Sequence, residues 1–281
     1  MKRSDFLRGA AAACLSGLLA GCQYDPVCGH KRAKAASSTD EAVLPALRIG
    51  AENFPPFHTE DADGNHIGID VDIAREALSR MGYRPEFVYI DWDLKDTLLE
   101  NGTIDCIWDC FSMKSREARY RWAGPYMVSR QVLAVNPDSS IWELRDLDDK
   151  VIAVRSTALP ESLLLDGDDP RYPQNCEVYS LEDSDLLYAA LNKGYVDALA
   201  AHESAVYQYM QDYGTRFRIL EEPLLVTGVG VAFALDDARG LAEALNKTLT
   251  AMRQDGTMEQ LLCKYYSQPE KFLEVDFLEN G

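Results

Sequence analysis

Positive charge is scarce in this chain: 28 Lys and Arg stand against 46 Asp and Glu, a formal net charge of −18. A surface of that sign repels phosphate backbones, so nucleic acid is not expected as a partner. Clustered metal ligands are scarce as well. The 4 His and 7 Cys form no CxxC pair and no Cys/His cluster, which argues against a zinc site and against a disulfide framework. No GxSxG elbow or nucleotide-binding loop occurs, so hydrolase and nucleotide-dependent readings fall away and no cofactor or metal is expected. No segment repeats with a period of 20–50 residues.

At the amino end stand a basic start, a stretch of small residues and leucines, and then Leu19-Ala20-Gly21-Cys22. Residues 1–21 read as an export signal, to be left out of fold reasoning. Its apolar part is too short for a permanent bilayer span. "LAGC" resembles a bacterial lipobox, which makes Cys22 the expected lipidated first residue of an extracytoplasmic, membrane-anchored protein. Without Lys2, Arg3, Asp5 and Arg8 the net charge becomes about −20. Residues 22–46 are polar and without apolar period, as in a flexible tether. What remains is long enough for one large domain or two lobes. Cys28, Cys106, Cys110, Cys176 and Cys263 are expected mostly as small buried side chains.

From residue 47 the pattern alternates. "LRIGA" reads as a strand before a Pro-rich turn. In "IGIDVDIAREALSRMG", Ile69, Ile73, Ala77 and Leu78 recur at helical spacing with Gly82 as the stop. "PEFVYI" is a strand, "DLKDTLLENGT" a helix, "DCIWDCF" a strand. A second set follows: strand "KVIAVR", helix from Pro160 through Leu165, strand "CEVYS", helix "SDLLYAALNKG", strand "VDALAA", helix "ESAVYQYMQDYG" and strand "FRILEE". The extended segments "RQVLAVN" (130–136) and "VTGVGVAFAL" (226–235) cross between the sets, and "ARGLAEALNKTLTAMRQDG" and "TMEQLLCKYY" return to the first. An α/β fold of two lobes on a two-strand hinge follows, with lobe one over 47–132 and 232–281, lobe two over 133–231, and the ligand expected in the cleft between them.

Basic side chains gather in one place despite the overall deficit. "FSMKSREARYRWAGPY" (111–126) carries Lys114, Arg116, Arg119 and Arg121 beside aromatics and a Gly-Pro turn. In the order "FPPF", "GIDVDIAREAL", "NGTIDCI", Arg116 to "WAGPY", "VDAL" and "MRQDGTMEQLLCKYY", the chain from 47 to 266 resembles the solute-binding proteins of bacterial amino-acid importers, family 3. The resemblance implies two α/β lobes closing on a free amino acid, with no bond made or broken, and an ABC permease and ATPase as partners of a monomer. It also implies that Arg116 grips the ligand carboxylate, for which a planar guanidinium is suited because it offers two parallel charge-assisted hydrogen bonds. Arg119 and Arg121 are expected to be surface helix charge. Four positions separate Ser112 from Arg116, where the family has five.

Around Arg116, Ser112 stands where a strand turns into a helix, as a ligand donor or a helix cap. Ser156 and Thr157 stand where a second helix begins, and free N–H groups there suit an anion. Phe54 and Trp92 match positions that line the family's pocket; each is equally readable as core. For the ligand's ammonium the family has Asp about where His202 stands. Glu203, one residue on, and Asp109, followed by Cys110, are the candidate acceptors, because a desolvated cation needs a partner. The rival function is a dehydratase of the cyclohexadienyl or arogenate type on the same fold, with His202 and Glu203 as acid and base. A stand-alone sensor lipoprotein is a third class.

Overall fold

The structure, a computed structural model, describes residues 44–166 and 170–275. The export signal, Cys22 and nearly all of the tether lie outside the described residues. Strands β1 (Ala46–Ala51), β4 (Arg84–Tyr89) and β5 (Cys106–Ile107) form one parallel group, with a small antiparallel pair, β2 (Thr59–Glu60) and β3 (His66–Ile67), beside it. Strands β7 (Val151–Arg155), β8 (Glu177–Leu181) and β9 (Ala198–His202) form a second parallel group. Between them run β6 (Arg121–Val135) and β11 (Leu225–Phe233), antiparallel to each other, and β10 (Arg218–Ile219) adds to β6. The sheet order is β4-β1-β5-β11-β6-β9-β7-β8, so the two crossing segments are the seam that joins two α/β lobes.

Helix α1 (Ile69–Met81) follows its apolar period, with Ile69, Ile73 and Leu78 fully buried. Burial of each such side chain is worth about 1.5–3 kcal/mol. Its stop is Gly82, in the left-handed region at φ 77°, where glycine carries no Cβ penalty. Its start is unusual. No side chain caps it; the N–H groups of Ile69 and Asp70 donate to the carbonyls of Pro56 (2.9 Å) and Phe57 (3.0 Å). That approach needs Gly68, because a Cβ there would sit 2.2 Å from the Phe57 oxygen.

The remaining helices are α2 (Lys95–Glu100), α3 (Leu159–Asp166), α4 (Ser184–Asn192), α5 (Glu203–Tyr213), α6 (Leu241–Gln254) and α7 (Thr257–Leu262). Helices α6 and α7 pack on α1, and Leu245, Leu249, Met252 and Met258 join Ile69 and Ile73 in one apolar cluster. Separate clusters around Leu133, Ile152 and Leu164, and around Val132, Leu187 and Leu199, support the other lobe. Among the described residues no helix is long and apolar enough to cross a membrane.

Several local expectations differ from the structure, among them the strand over "FRILEE", which is only Arg218–Ile219. The strand read over "DCIWDCF" is only Cys106–Ile107, because Cys110 takes a left-handed φ of 47° and turns the chain. No helix follows Ser112. Residues 112–120 form successive turns, with Arg116 N–H donating to Met113 O and Arg119 N–H to Arg116 O, and Ser115 at φ 63° breaks any helical continuation. Arg121 then opens β6, so neither it nor Arg119 lies on a helix. Cysteine also departs from expectation at one place: Cys106, Cys110 and Cys176 are free thiols, whereas Cys263 is disulfide-bonded.

Candidate functional site

The carboxyl ends of β1, β5, β7 and β9 converge, as ligand-bearing ends do in open α/β sheets. They enclose a cavity of about 60 Å³. Phe54, Trp92, Asp109, Cys110, Ser112, Arg116 and His202 all line it. Glu52, Gln131 and Arg155 join them, three residues that the sequence motifs do not point to. The signal for two of them was available: Glu52 and Arg155 are ionisable residues standing at the carboxyl ends of "LRIGA" and "VIAV".

The loop after β5 is held in place from two sides. Buried Asp70, in the first turn of α1, accepts from the Cys110 N–H (2.6 Å) and from the Tyr126 hydroxyl (2.7 Å). Burial pushes the Asp70 carboxyl up to about 7, against the two hydrogen bonds that pull it down. On the far side, Met113 N–H donates to Gly228 O and Gly230 N–H to Phe111 O, both 3.0 Å, with Ser112 bridged to Val229 of β11. Gly230 permits this contact, since a Cβ there would meet Met113 Sδ at 2.9 Å.

Arg116 extends from that loop over the face of Phe111, 5.1 Å from the ring centroid. Its Nη1 donates to Ser112 O (3.3 Å) and its Nη2 to Thr157 O (3.1 Å), from the other lobe. Among the described residues it has no carboxylate partner within 4.0 Å. Desolvation by burial pulls its pKa down, as expected of a guanidinium short of counter-charge. Arg119 and Arg121 instead pair at the surface with Asp96 (3.0 Å) and Glu243 (2.8 Å).

Asp109 is the buried acid of the site. Its Oδ2 accepts from Glu52 N–H (2.8 Å), while its Oδ1 has no hydrogen-bond partner. Burial, then the nearby Glu52 carboxylate, pushes its pKa well up. Ser112 Oγ, Gln131 Oε1 and Arg155 Nε are likewise buried without partners. Four such atoms on one small cavity mark it as shaped for a polar ligand, because each buried unpaired group costs roughly 1–3 kcal/mol.

His202 ends β9. Although the residue keeps some accessible surface, its ring is packed against Phe54 (centroids 5.8 Å) and Phe57 (5.9 Å), and Nδ1 lies 2.6 Å from Ser129 Oγ and 3.6 Å from Cys110 Sγ. Gln131 Nε2 is 2.9 Å from its Nε2. Desolvation, reinforced by the Arg116 charge, lowers its pKa to about 3, so the imidazole is neutral.

Three sequence candidates do not line the cavity. Glu203 opens α5 outside the cavity lining, and its carboxylate lies 3.5 Å from Arg130 Nε. Ser156 and Thr157 precede α3, but their N–H groups are already used, Ser156 N–H on Leu181 O (2.9 Å) and Thr157 N–H on Glu161 Oε2 (2.7 Å). Their hydroxyls meet Asp93 of the facing lobe, at 3.4 Å and 2.9 Å. Beside them Arg155 Nη2 reaches Glu52 Oε2 at 3.2 Å, a second link across the cleft.

Among the proteins that resemble the chain over most of its length are two curated relatives and one solved structure. The histidine-binding periplasmic protein of Salmonella typhimurium is 27% identical over 242 residues, covering 83% of this chain and 92% of its own. The glutamate-binding protein GluB of Corynebacterium glutamicum is 28% identical over 247 residues, covering 80% and 82%. The crystal structure of Tv2483 bound to L-arginine matches with a TM-score of 0.72 at 26% identity, over 80% of this chain and 92% of that one. Residues 47–268 match the model of one family, and with this match the two-lobed fold and the cleft acquire a common origin: the chain belongs to the bacterial extracellular solute-binding proteins, family 3.

Proposed function

We propose that the chain captures a free α-amino acid in the cleft and presents it to an ABC permease and ATPase, without chemical change to the ligand. The observation that supports this reading is the pairing of opposites on one cavity: among the described residues, an Arg116 guanidinium with no carboxylate partner, and an Asp109 carboxyl with one unpaired oxygen. Arg116 takes the ligand carboxylate. Asp109 takes the ammonium, since Glu203 is engaged with Arg130 and neutral His202 carries no negative charge. Phe54 and Trp92 flank the ligand, and Ser112 and Gln131 offer further hydrogen bonds.

The lobes that close on the ligand are assigned to residues 47–132 with 232–281, and to 133–231. Cys22 is assigned as the lipidated mature N-terminus of a monomeric lipoprotein; Cys22→Ser should leave the membrane fraction or remain unprocessed. Catalysis by His202 and Glu203 is disfavoured, because a base whose conjugate acid has a pKa of about 3 is weak and its supposed partner lies outside the cavity lining, beside Arg130.

Thermal-shift screening against the free amino acids and prephenate tests the reading. A ligand at a hundred times its dissociation constant stabilises by about 2.7 kcal/mol. Stabilisation by an amino acid, lost in Asp109→Asn, supports it. Conversion of prephenate, detected by mass spectrometry, would overturn it.

A further inference from the structure

The cavity holds more charge than the ligand's backbone groups require. Arg116 and Asp109 are assigned to the carboxylate and the ammonium, which leaves Glu52 and Arg155. These two face each other from opposite lobes, Glu52 just after β1 and Arg155 at the end of β7, with Arg155 Nη2 to Glu52 Oε2 at 3.2 Å. Both are largely buried, their side chains 21% and 11% exposed. Arg155 is held further by Ser156 Oγ, 2.8 Å from Nη1, and by Asp93, 4.0 Å away. Glu52 is therefore a carboxylate whose counter-charge the protein itself supplies.

Resting on the amino-acid reading above, we infer that Arg155 sets side-chain selectivity: the site takes an amino acid whose side chain brings a hydrogen-bond acceptor and no positive charge, an amide or a carboxylate. Three observations lead there. The guanidinium of Arg155 occupies the carboxylate that a cationic side chain would need, so a ligand ammonium or guanidinium would meet like charge in a desolvated space. Arg155 Nε is buried on the cavity wall without an acceptor, which a ligand amide or carboxylate oxygen can supply. The neighbouring lining is mostly apolar, Ala158, Leu159, Pro160 and Leu187, and among the described residues the hydroxyls beside it, Ser184 and Tyr188, make no hydrogen bond to this Nε.

Charge counting agrees. With Asp109 ionised against the ligand ammonium, Arg116, Arg155, Glu52 and Asp109 sum to zero, matching a ligand with a neutral side chain. An acidic side chain adds one negative charge, placed against the Arg155 guanidinium, which favours it. A basic side chain adds one positive charge against the same guanidinium, which opposes it.

Calorimetric titration of the purified protein with L-glutamine, L-glutamate, L-leucine, L-lysine and L-arginine tests the inference, on the wild type and on Arg155→Gln and Arg155→Lys. The expected result is binding of glutamine or glutamate at least tenfold tighter than lysine, arginine or leucine. Arg155→Gln should narrow the gap to arginine at least tenfold, and Arg155→Lys, which keeps the charge, should preserve it. Tightest binding of arginine, lysine or leucine by the wild type overturns the selectivity while leaving the amino-acid reading intact. An unchanged ratio in Arg155→Gln that still binds glutamine overturns the role of Arg155. Binding of no amino acid at all removes the underlying reading and this inference with it.

Discussion

The two walls of the cleft are built differently. On the first lobe, the loop from Asp109 to Arg116 is fixed by buried, long-range hydrogen bonds: Asp70 to the Cys110 N–H, Tyr126 to Asp70, and the pairing of residues 111–113 with β11. On the second lobe, Ser156 and Thr157 sit in a short turn with Thr157 at φ 56°, and their side chains find partners in Asp93 of the other wall. The first wall is fixed by its own lobe and the crossing strand β11, whereas the second adds cross-cleft hydroxyl contacts to bonds within its own lobe, Ser156 N–H to Leu181 O and Thr157 N–H to Glu161. Pre-organisation of a wall reduces the ordering cost of binding.

That contrast is most severely tested at Asp70. Asp70→Ala leaves the Tyr126 hydroxyl and the Cys110 N–H buried and unpaired, and should cost on the order of 2–5 kcal/mol of stability in urea unfolding. A loss below about 1 kcal/mol would mean that the first wall does not depend on this carboxylate.

Arg116→Lys should weaken amino-acid binding by about 2–5 kcal/mol in calorimetry, because it replaces a bidentate donor by a point charge in a desolvated site. Arg119→Lys and Arg121→Lys, at the surface, should change affinity by less than about 0.5 kcal/mol. Equal losses in all three would break the assignment of Arg116 to the ligand.

The same carboxyl group at Asp70 predicts a pH dependence. Its folded pKa, about 7, lies above its ordinary value of 3.8, so the folded state binds the extra proton. Its stabilising contribution is complete below about pH 4 and declines as pH rises through 7, by up to about 4 kcal/mol. Unfolding midpoints measured from pH 4.5 to 8 should show this decline, and Asp70→Asn should flatten it. A wild type whose stability rises across that window at Asp70's expense would show the sign to be wrong.

The smallest effect is expected on the second wall. Asp93→Ala removes one cross-cleft acceptor of the Ser156 and Thr157 hydroxyls but leaves Arg116 and Asp109 untouched, so affinity should fall by about 0.5–1.5 kcal/mol, chiefly through faster dissociation. Stopped-flow dissociation rates check it. His202→Ala belongs to the same range, as the loss of a structural hydrogen bond to Ser129. A drop as large as that of Arg116→Lys in either variant would mean that the second wall is as pre-organised as the first.

Much of this protein is legible from local pattern. Helix α1 and its Gly82 stop, the two alternating sets of strands and helices, and the paired crossings at β6 and β11 follow from periodicity and turn chemistry, which act over a few residues. Arg116, Phe54 and Trp92 were placed on the cleft by motif order, and the cavity holds them. What local pattern does not carry is the choice of partner. The turns that replace the expected helix after Ser112 come from pairing with β11, more than 100 residues away, and the spent N–H groups at Ser156 and Thr157 depend on Leu181 and Glu161. Which of two adjacent residues, His202 or Glu203, lines the cavity is decided at the junction of β9 with α5. The sequence alone determined the lobes and the hinge, because apolar period and turn chemistry are local properties, and its resemblance to the family pointed to Arg116. Only the tertiary structure decided that Asp109 rather than Glu203 is the buried acid, and that Arg155 closes on Glu52, because burial and charge pairing depend on which distant chain segments fold against one another.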